Sequence, residues 1–197
     1  DIAELNKQGF LKSLNIPIDV FTQTHLNDFI SLGKETTRAV RNRLSDLLEL
    51  SSTELQSNKD IFNTIFKKQA DVKMLLPVSI GDYTDFFSSI DHATNTGTMF
   101  RDPANALLPN WKHIPVGYHG RASSICVSGH SFHRPKGQMK PVDATVPVFG
   151  PTKQLDIELE TAFVIGKPTK MGESVSTENA DDYIFGKVLF NDWSARD

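Results

Sequence analysis

The sequence predicts an α+β protein, with a helical segment over residues 1–77 followed by a β-rich region over 78–197. Three observations point there. Apolar residues recur at helical spacing in the first third. Beyond Leu76-Pro77, Gly, Pro and Asn punctuate short β-rich runs. The run Leu155-Asp156-Ile157-Glu158-Leu159-Glu160 alternates strictly between apolar and acidic residues before turning apolar through Thr161-Ala162-Phe163-Val164-Ile165.

The helical elements come first. Val40, Leu44, Leu47 and Leu48 fall at i, i+4, i+7 and i+8, the stripe of an amphipathic helix. Ser51-Ser52-Thr53-Glu54 has the capping-box pattern that starts a second helix. Ile61, Phe62, Ile65 and Phe66 form that helix's stripe, and Lys67 and Lys68 suit its C-terminus. Lys34, Arg38, Arg41 and Arg43 read as a solvated face.

The β elements follow. Strands are predicted over 80–87, 114–118, 123–127 and 183–193, with a polar loop from Arg134 to Pro147. In the alternating run, Asp156, Glu158 and Glu160 share one face of a strand, because successive side chains point to opposite sides. The apolar stretch from Thr161 reads as the strand entering a core. A row of carboxylates repels itself unless a cation or water relieves it, and hard cations such as Ca²⁺ and Mg²⁺ take carboxylate oxygens. An antiparallel strand with a solvated acidic face fits the same alternation, so the pattern alone leaves both readings open.

Composition narrows the class. Apolar residues make up 39% and charged residues 23%, ordinary for a globular domain. A net charge of -3 argues against nucleic acid or an anionic membrane as partner, since both need a basic surface. No apolar run approaches the ~20 residues of a membrane span. The single Cys126 makes neither an internal disulfide nor a metal quartet, which fits a reducing, cytoplasmic setting. Flanked by Ile125 and Val127, it reads as a buried structural thiol. The chain opens Asp1-Ile2-Ala3 without Met and stops just after an aromatic strand, so a piece of a longer protein is expected.

Three acidic clusters sit at strand ends: Asp82/Asp85, Asp156/Glu158/Glu160 and Asp192/Asp197. Convergence of such strands would assemble an oxygen site for Ca²⁺ or Mg²⁺. No CxxC or HExxH is present, which disfavours zinc. His92 is either a general base beside such a site or an ordinary helix histidine. His119, between Gly117-Tyr118 and Gly120, is open to structural or substrate-adjacent roles; His25, His113, His130 and His133 read as surface or structural residues. Arg101, Tyr118, Arg121 and Arg196 are candidates to hold an anionic substrate, because Arg forks match carboxylates. Trp111 and Trp193 read as packing anchors.

Several motifs, in order, resemble the fumarylacetoacetase family. They are Gly81-Asp82-Tyr83-Thr84-Asp85-Phe86, Ser88-Ser89 with His92-Ala93-Thr94-Asn95, and Met99-Phe100-Arg101. Asn105-Ala106-Leu107-Leu108-Pro109-Asn110-Trp111, Pro115-Val116-Gly117-Tyr118-His119-Gly120-Arg121-Ala122-Ser123-Ser124 and Asn191-Asp192-Trp193-Ser194-Ala195-Arg196-Asp197 continue the series. Together with Leu26-Asn27-Asp28-Phe29 and Leu32-Gly33, they favour this family over the wider hydrolase superfamily. The resemblance implies that 1–77 are the helical part of a small N-terminal domain, an SH3-like barrel in the family and incomplete here at its start, and that 78–197 begin a β-roll catalytic domain, incomplete at its end.

It also implies metal-dependent hydrolysis of a carbon–carbon bond in 4-fumarylacetoacetate, giving fumarate and acetoacetate in tyrosine and phenylalanine breakdown. By motif, Asp85, Glu158, Glu160 and Asp192 resemble ligands of Ca²⁺ and/or Mg²⁺. His92 resembles the base that activates water against an enolate-type leaving group. Arg101, Tyr118 and Arg196 resemble substrate contacts, and Phe87 stands where the family carries a substrate-contacting Tyr. Asp156 lies on the ligand face without being a ligand in that pattern. The family's homodimer is implied for the full length. The family's partner acid for the histidine lies beyond the region matching Asp197, so this chain alone is expected to be inactive. Another acylpyruvate-type hydrolase, or a non-catalytic metal-binding fragment, are the alternatives.

Overall fold

The computed structural model describes residues 1–197. Six helices are α1 (Ile2–Lys7), α2 (Asn27–Ser31), α3 (Lys34–Leu48), α4 (Lys59–Ile65), α5 (Ile90–Phe100) and α6 (Ala180–Tyr183). Six strands are β1 (Thr84–Phe86), β2 (Gly117–His119), β3 (Lys136–Met139), β4 (Val148–Pro151), β5 (Leu155–Ile165) and β6 (Ile184–Ala195). They pair as three antiparallel two-stranded sheets, β1–β2, β3–β4 and β5–β6. The chain divides into two compact units, one of Asp1–Pro77 with Gly129–Asp197 and one of Val78–Ser128. No helix is long and apolar enough to cross a membrane.

In the larger unit, the α3 stripe builds two apolar clusters. Leu47 joins Leu5, Leu55 and Ile65, while Val40 joins Val20 and Phe29; Leu44 packs against both. Leu48, expected on the stripe, is 55% exposed, because the helix ends there and its last residue turns off the packed face. The Ser51–Glu54 box does not start a helix. Asn58 caps α4 instead, its Oδ1 accepting from the Ile61 amide at 3.1 Å. Glu54 is drawn elsewhere. It receives both terminal nitrogens of Arg43, at 2.9 and 2.7 Å, while Arg43 Nε donates to the Phe10 carbonyl at 3.1 Å. This fork holds the Glu54 carboxyl below the usual range. Lys34 also leaves the expected solvated face, its Nζ meeting Asp181 Oδ2 at 2.5 Å. α4 stops at Ile65, so Lys67 and Lys68 lie past its end, and Phe62 and Phe66 stack with centroids 4.3 Å apart.

The β5–β6 hairpin runs in register from Leu155↔Ala195 to Val164↔Gly186, then shifts so that Ile165 faces Ile184. Phe185 is the residue left over. Its ring packs against Phe29 edge-on, centroids 6.2 Å apart, in the Val20–Phe29–Val40 cluster. The faces are not exposed as the sequence suggests. The carboxylate side is the more protected, whereas Ile157, Leu159, Phe163 and Ile165 are more than half exposed. Thr161 onward therefore does not enter a core here. The expected polar loop at 134–147 contains β3, paired with β4. Ladder hydrogen bonds use backbone groups, so polar side chains do not forbid them; Lys136 and Gln138 face out and Met139 is buried.

In the smaller unit, β1 and β2 pair Asp85 with Tyr118, a shorter ladder than the sequence suggests. Residues 123–127 form no strand: a 3₁₀ turn occupies Ala122–Ser124, and Cys126 is exposed rather than buried. Ser89 caps α5, its Oγ accepting from the His92 amide at 3.3 Å. Trp111 anchors as expected, with Nε1 donating to the Phe87 carbonyl at 2.8 Å. α5 approaches the Pro103–Asn105 turn so closely that a Cβ on Gly97 would lie 2.1 Å from the Ala106 carbonyl oxygen.

Candidate functional site

Asp85 is buried, at 7% exposure, on the short β1 strand. A buried carboxylate needs donors in place of water. Its Oδ2 accepts from the Tyr118 hydroxyl across the ladder at 2.8 Å and from Tyr83 at 3.1 Å. Gly120 makes room for this: a Cβ there would sit 2.0 Å from the Tyr83 ring. Tyr118, expected at a substrate, thus has its hydroxyl on an expected ligand. Asp82 does not join Asp85; its carboxylate is exposed and 3.9 Å from His119 Nε2.

His92 stands in the first turn of α5, with the Phe87 ring edge-on to its imidazole at 5.1 Å and 81°. Phe87 is fixed along its backbone too, its amide donating to Val116 at 2.7 Å and its carbonyl accepting from Trp111. The structure therefore brings the expected base together with Phe87. Arg101 follows α5 and donates from Nη1 to the Ala106 carbonyl at 2.8 Å.

The other expected ligands lie in the larger unit, on one face of the β5–β6 hairpin. Glu158 is directly opposite Asp192, Asp156 opposite Ser194 and Glu160 opposite Phe190. Cross-strand neighbours share a face, so the alternation in β5 and the Asp192-Trp193-Ser194 alternation in β6 act on the same surface. Glu158 Oε1 accepts from the Ser194 hydroxyl at 2.5 Å and lies 2.7 Å from Arg196 Nη2. Arg196 Nε donates to Asp156 Oδ2 at 3.1 Å. Asp197 turns away, accepting from the Thr152 hydroxyl and from the Lys153 amide at 2.7 Å. The Thr152 hydroxyl, then the backbone amides, hold its carboxyl below the usual range.

Sequence reasoning missed Tyr83 and Ser194 as members of these arrangements, and placed Asp156 on the acidic face without its partner Arg196. Ser194 was legible in principle, lying two residues from Asp192 on the same face. Tyr83, two residues from Asp85, was legible on the same ground. Chemically, the hairpin face offers hard oxygen donors beside a fixed guanidinium. That suits a divalent cation together with an anion.

Residues 1–77 match the family model described as fumarylacetoacetase N-terminal, and residues 83–197 the model described as fumarylacetoacetate (FAA) hydrolase C-terminal. The chain is 52% identical over 178 residues to a fumarylacetoacetase of Rattus norvegicus, covering 90% of this chain and 42% of that protein. Identity to the fumarylacetoacetase of Caenorhabditis elegans is 53% over 180 residues, covering 91% and 43%. The Arabidopsis thaliana fumarylacetoacetase is 43% identical over 198 residues, covering 100% and 47%. The chain thus spans less than half the length of these relatives.

Proposed function

The chain belongs to the fumarylacetoacetase family, and from that premise we propose that the intact protein hydrolyses 4-fumarylacetoacetate to fumarate and acetoacetate. The observation that carries the reading is the 52–53% identity to curated fumarylacetoacetases across nine-tenths of the chain. In this proposal the reaction belongs to tyrosine and phenylalanine breakdown in a cytoplasmic homodimer. Residues 1–77 supply the helical part of an N-terminal domain that is SH3-like in the family, and 78–197 begin a β-roll catalytic domain.

Asp85, Glu158, Glu160 and Asp192 are the proposed ligands of one divalent cation, Ca²⁺ or Mg²⁺. Their donor chemistry fits: all are carboxylates, and Glu158 and Asp192 share one rung. Such a cation, when bound, supplies Lewis-acid stabilisation of charge on the diketone oxygens. His92 takes a proton from water near the attacked carbonyl. The ring of Phe87 against its imidazole limits the rotamers open to that base. Arg101, Tyr118 and Arg196 hold the substrate's polar ends, with Phe87 offering an apolar wall where the family offers a hydroxyl.

Carbon–carbon cleavage releases fumarate and acetoacetate in equal amounts, so the test is their yield from the intact protein, with and without a chelator. Stoichiometric release that stops on chelation supports the proposal. Preference for acylpyruvates moves the assignment to another hydrolase of the superfamily. Cation binding with no turnover on either substrate replaces it with a binding module.

A further inference from the structure

Asp156 lies on the carboxylate face of β5 but outside the proposed ligand set, and its geometry gives it a different task. Both of its oxygens are engaged. Oδ1 accepts from the Ile157 amide at 2.9 Å, which fixes the side chain on its own strand. Oδ2 accepts from Arg196 Nε at 3.1 Å. The arginine backbone is tied as well, its amide donating to the Gln154 carbonyl at 3.0 Å. The guanidinium is thus clamped at Nε and at the main chain.

Its other end is held differently. Nη2 is buried and lies 2.7 Å from Glu158 Oε1, yet it is not aligned for a hydrogen bond. Glu158 attracts this nitrogen as a charge, while Asp156 holds the directed bond. Released from Nε, the planar fork would rotate to align on Glu158, since two parallel bonds to one carboxylate are the arrangement Arg prefers. That rotation would turn its remaining donors inward.

We propose that Asp156 is a positioning residue: it clamps Arg196 at Nε and so keeps the Nη1 end of the guanidinium available to the carboxylate of a bound dicarboxylate or keto acid. The inference rests on the reading of Arg196 as an anion anchor given above. Glu158 is meanwhile left with its carboxylate on Ser194 and not captured by a full arginine fork.

The experiment uses the intact protein saturated with Ca²⁺ and takes fumarate as probe. Fumarate affinity is measured by calorimetry for wild type, D156N, R196K and the double variant, alongside KM, kcat and thermal unfolding. D156N weakens fumarate roughly tenfold and raises KM in parallel, as loss of a charge-assisted bond worth about 1.4 kcal/mol would. The Ca²⁺ affinity and kcat change by less than about threefold, because neither depends directly on the clamp; D156S repeats the pattern if the fold is intact. In R196K there is no Nε to clamp, so adding D156N causes no further loss, and the unfolding temperatures are non-additive in the same way. Fumarate binding within about twofold of wild type in D156N, or losses that multiply in the double variant, overturn the positioning role. If R196K itself leaves fumarate binding unchanged while unfolding still couples the pair, the anchor reading of Arg196 fails instead and Asp156 is reduced to a stabilising contact.

Discussion

Replacing Gly97 by Ala should destabilise the protein, although the same change in an exposed helix stabilises. The added Cβ would lie 2.1 Å from the Ala106 carbonyl oxygen, 2.7 Å from its carbon and 3.0 Å from its Cα. An ordinary carbon–oxygen contact is about 3.3 Å, so α5 and the following turn must part by about 1.2 Å. All three obstacles are backbone atoms, so no side-chain rotation relieves them. Overpacking of this kind costs about 1–3 kcal/mol. The displaced carbonyl is also the acceptor for Arg101 Nη1 at 2.8 Å, and losing a hydrogen bond to a charged group costs about 1.5 kcal/mol or more. Against this stands a gain of about 1 kcal/mol for Ala over Gly in a helix. The balance is about 2 kcal/mol unfavourable, a fall of about 4–8 °C in Tm for a chain of this size. Calorimetric melting of wild type and G97A decides it. A variant as stable as wild type, or more stable, would refute the close approach of α5 to the turn.

Other expectations follow from the same structure. E158Q keeps shape but removes a charge and should weaken Ca²⁺ binding far more than D156N; equal effects in calorimetry would remove Glu158 from the ligand set. H92Q in the intact enzyme should lower kcat by about 10²–10⁴-fold with Ca²⁺ binding retained, and a near-normal rate would make His92 a structural residue. F87Y should lower KM without disturbing the fold; a loss of several degrees in Tm would show that Phe87 is packed with no room for a hydroxyl. The hydrogen bond from Lys34 holds the Asp181 carboxyl below its usual range. A depressed folded value gives stability present above the ordinary carboxylate range and lost as pH falls through the folded value. D181N should therefore be less stable than wild type at neutral pH, and the gap should close in unfolding curves below about pH 4; a gap constant down to pH 2 would be the contrary result.

What the sequence revealed depended on how local the cause was. β5 was legible because its alternation repeats over six residues before an apolar run, and α3 because Val40, Leu44 and Leu47 mark one helical face. Ser51–Glu54 had the right letters for a cap, but Glu54 was claimed by Arg43, a partner eleven residues away. Strand β3 was hidden because its pairing uses backbone groups and its side chains are Lys, Gly and Gln. At the candidate site, the opposition of Glu158 to Asp192 and the clamp on Arg196 depend on hairpin register. No spacing within one strand can supply that.

The extra residue in that hairpin decides more than a bend. Side chains alternate with a period of two, so a strand's chemistry depends on parity, and a single inserted or removed position exchanges its two faces. Here the odd residue is Phe185, sunk among the helices that hold Phe29. The bulge absorbs that residue, so an aromatic ring enters the helical core while the register stays regular from Val164 and Gly186 to the rung of Glu158 and Asp192, six residues along β5. Deleting Phe185 would close the ladder without a bulge and leave Glu158 opposite Asp192, but it would take from the Val20–Phe29–Val40 cluster a ring that the hairpin gives it.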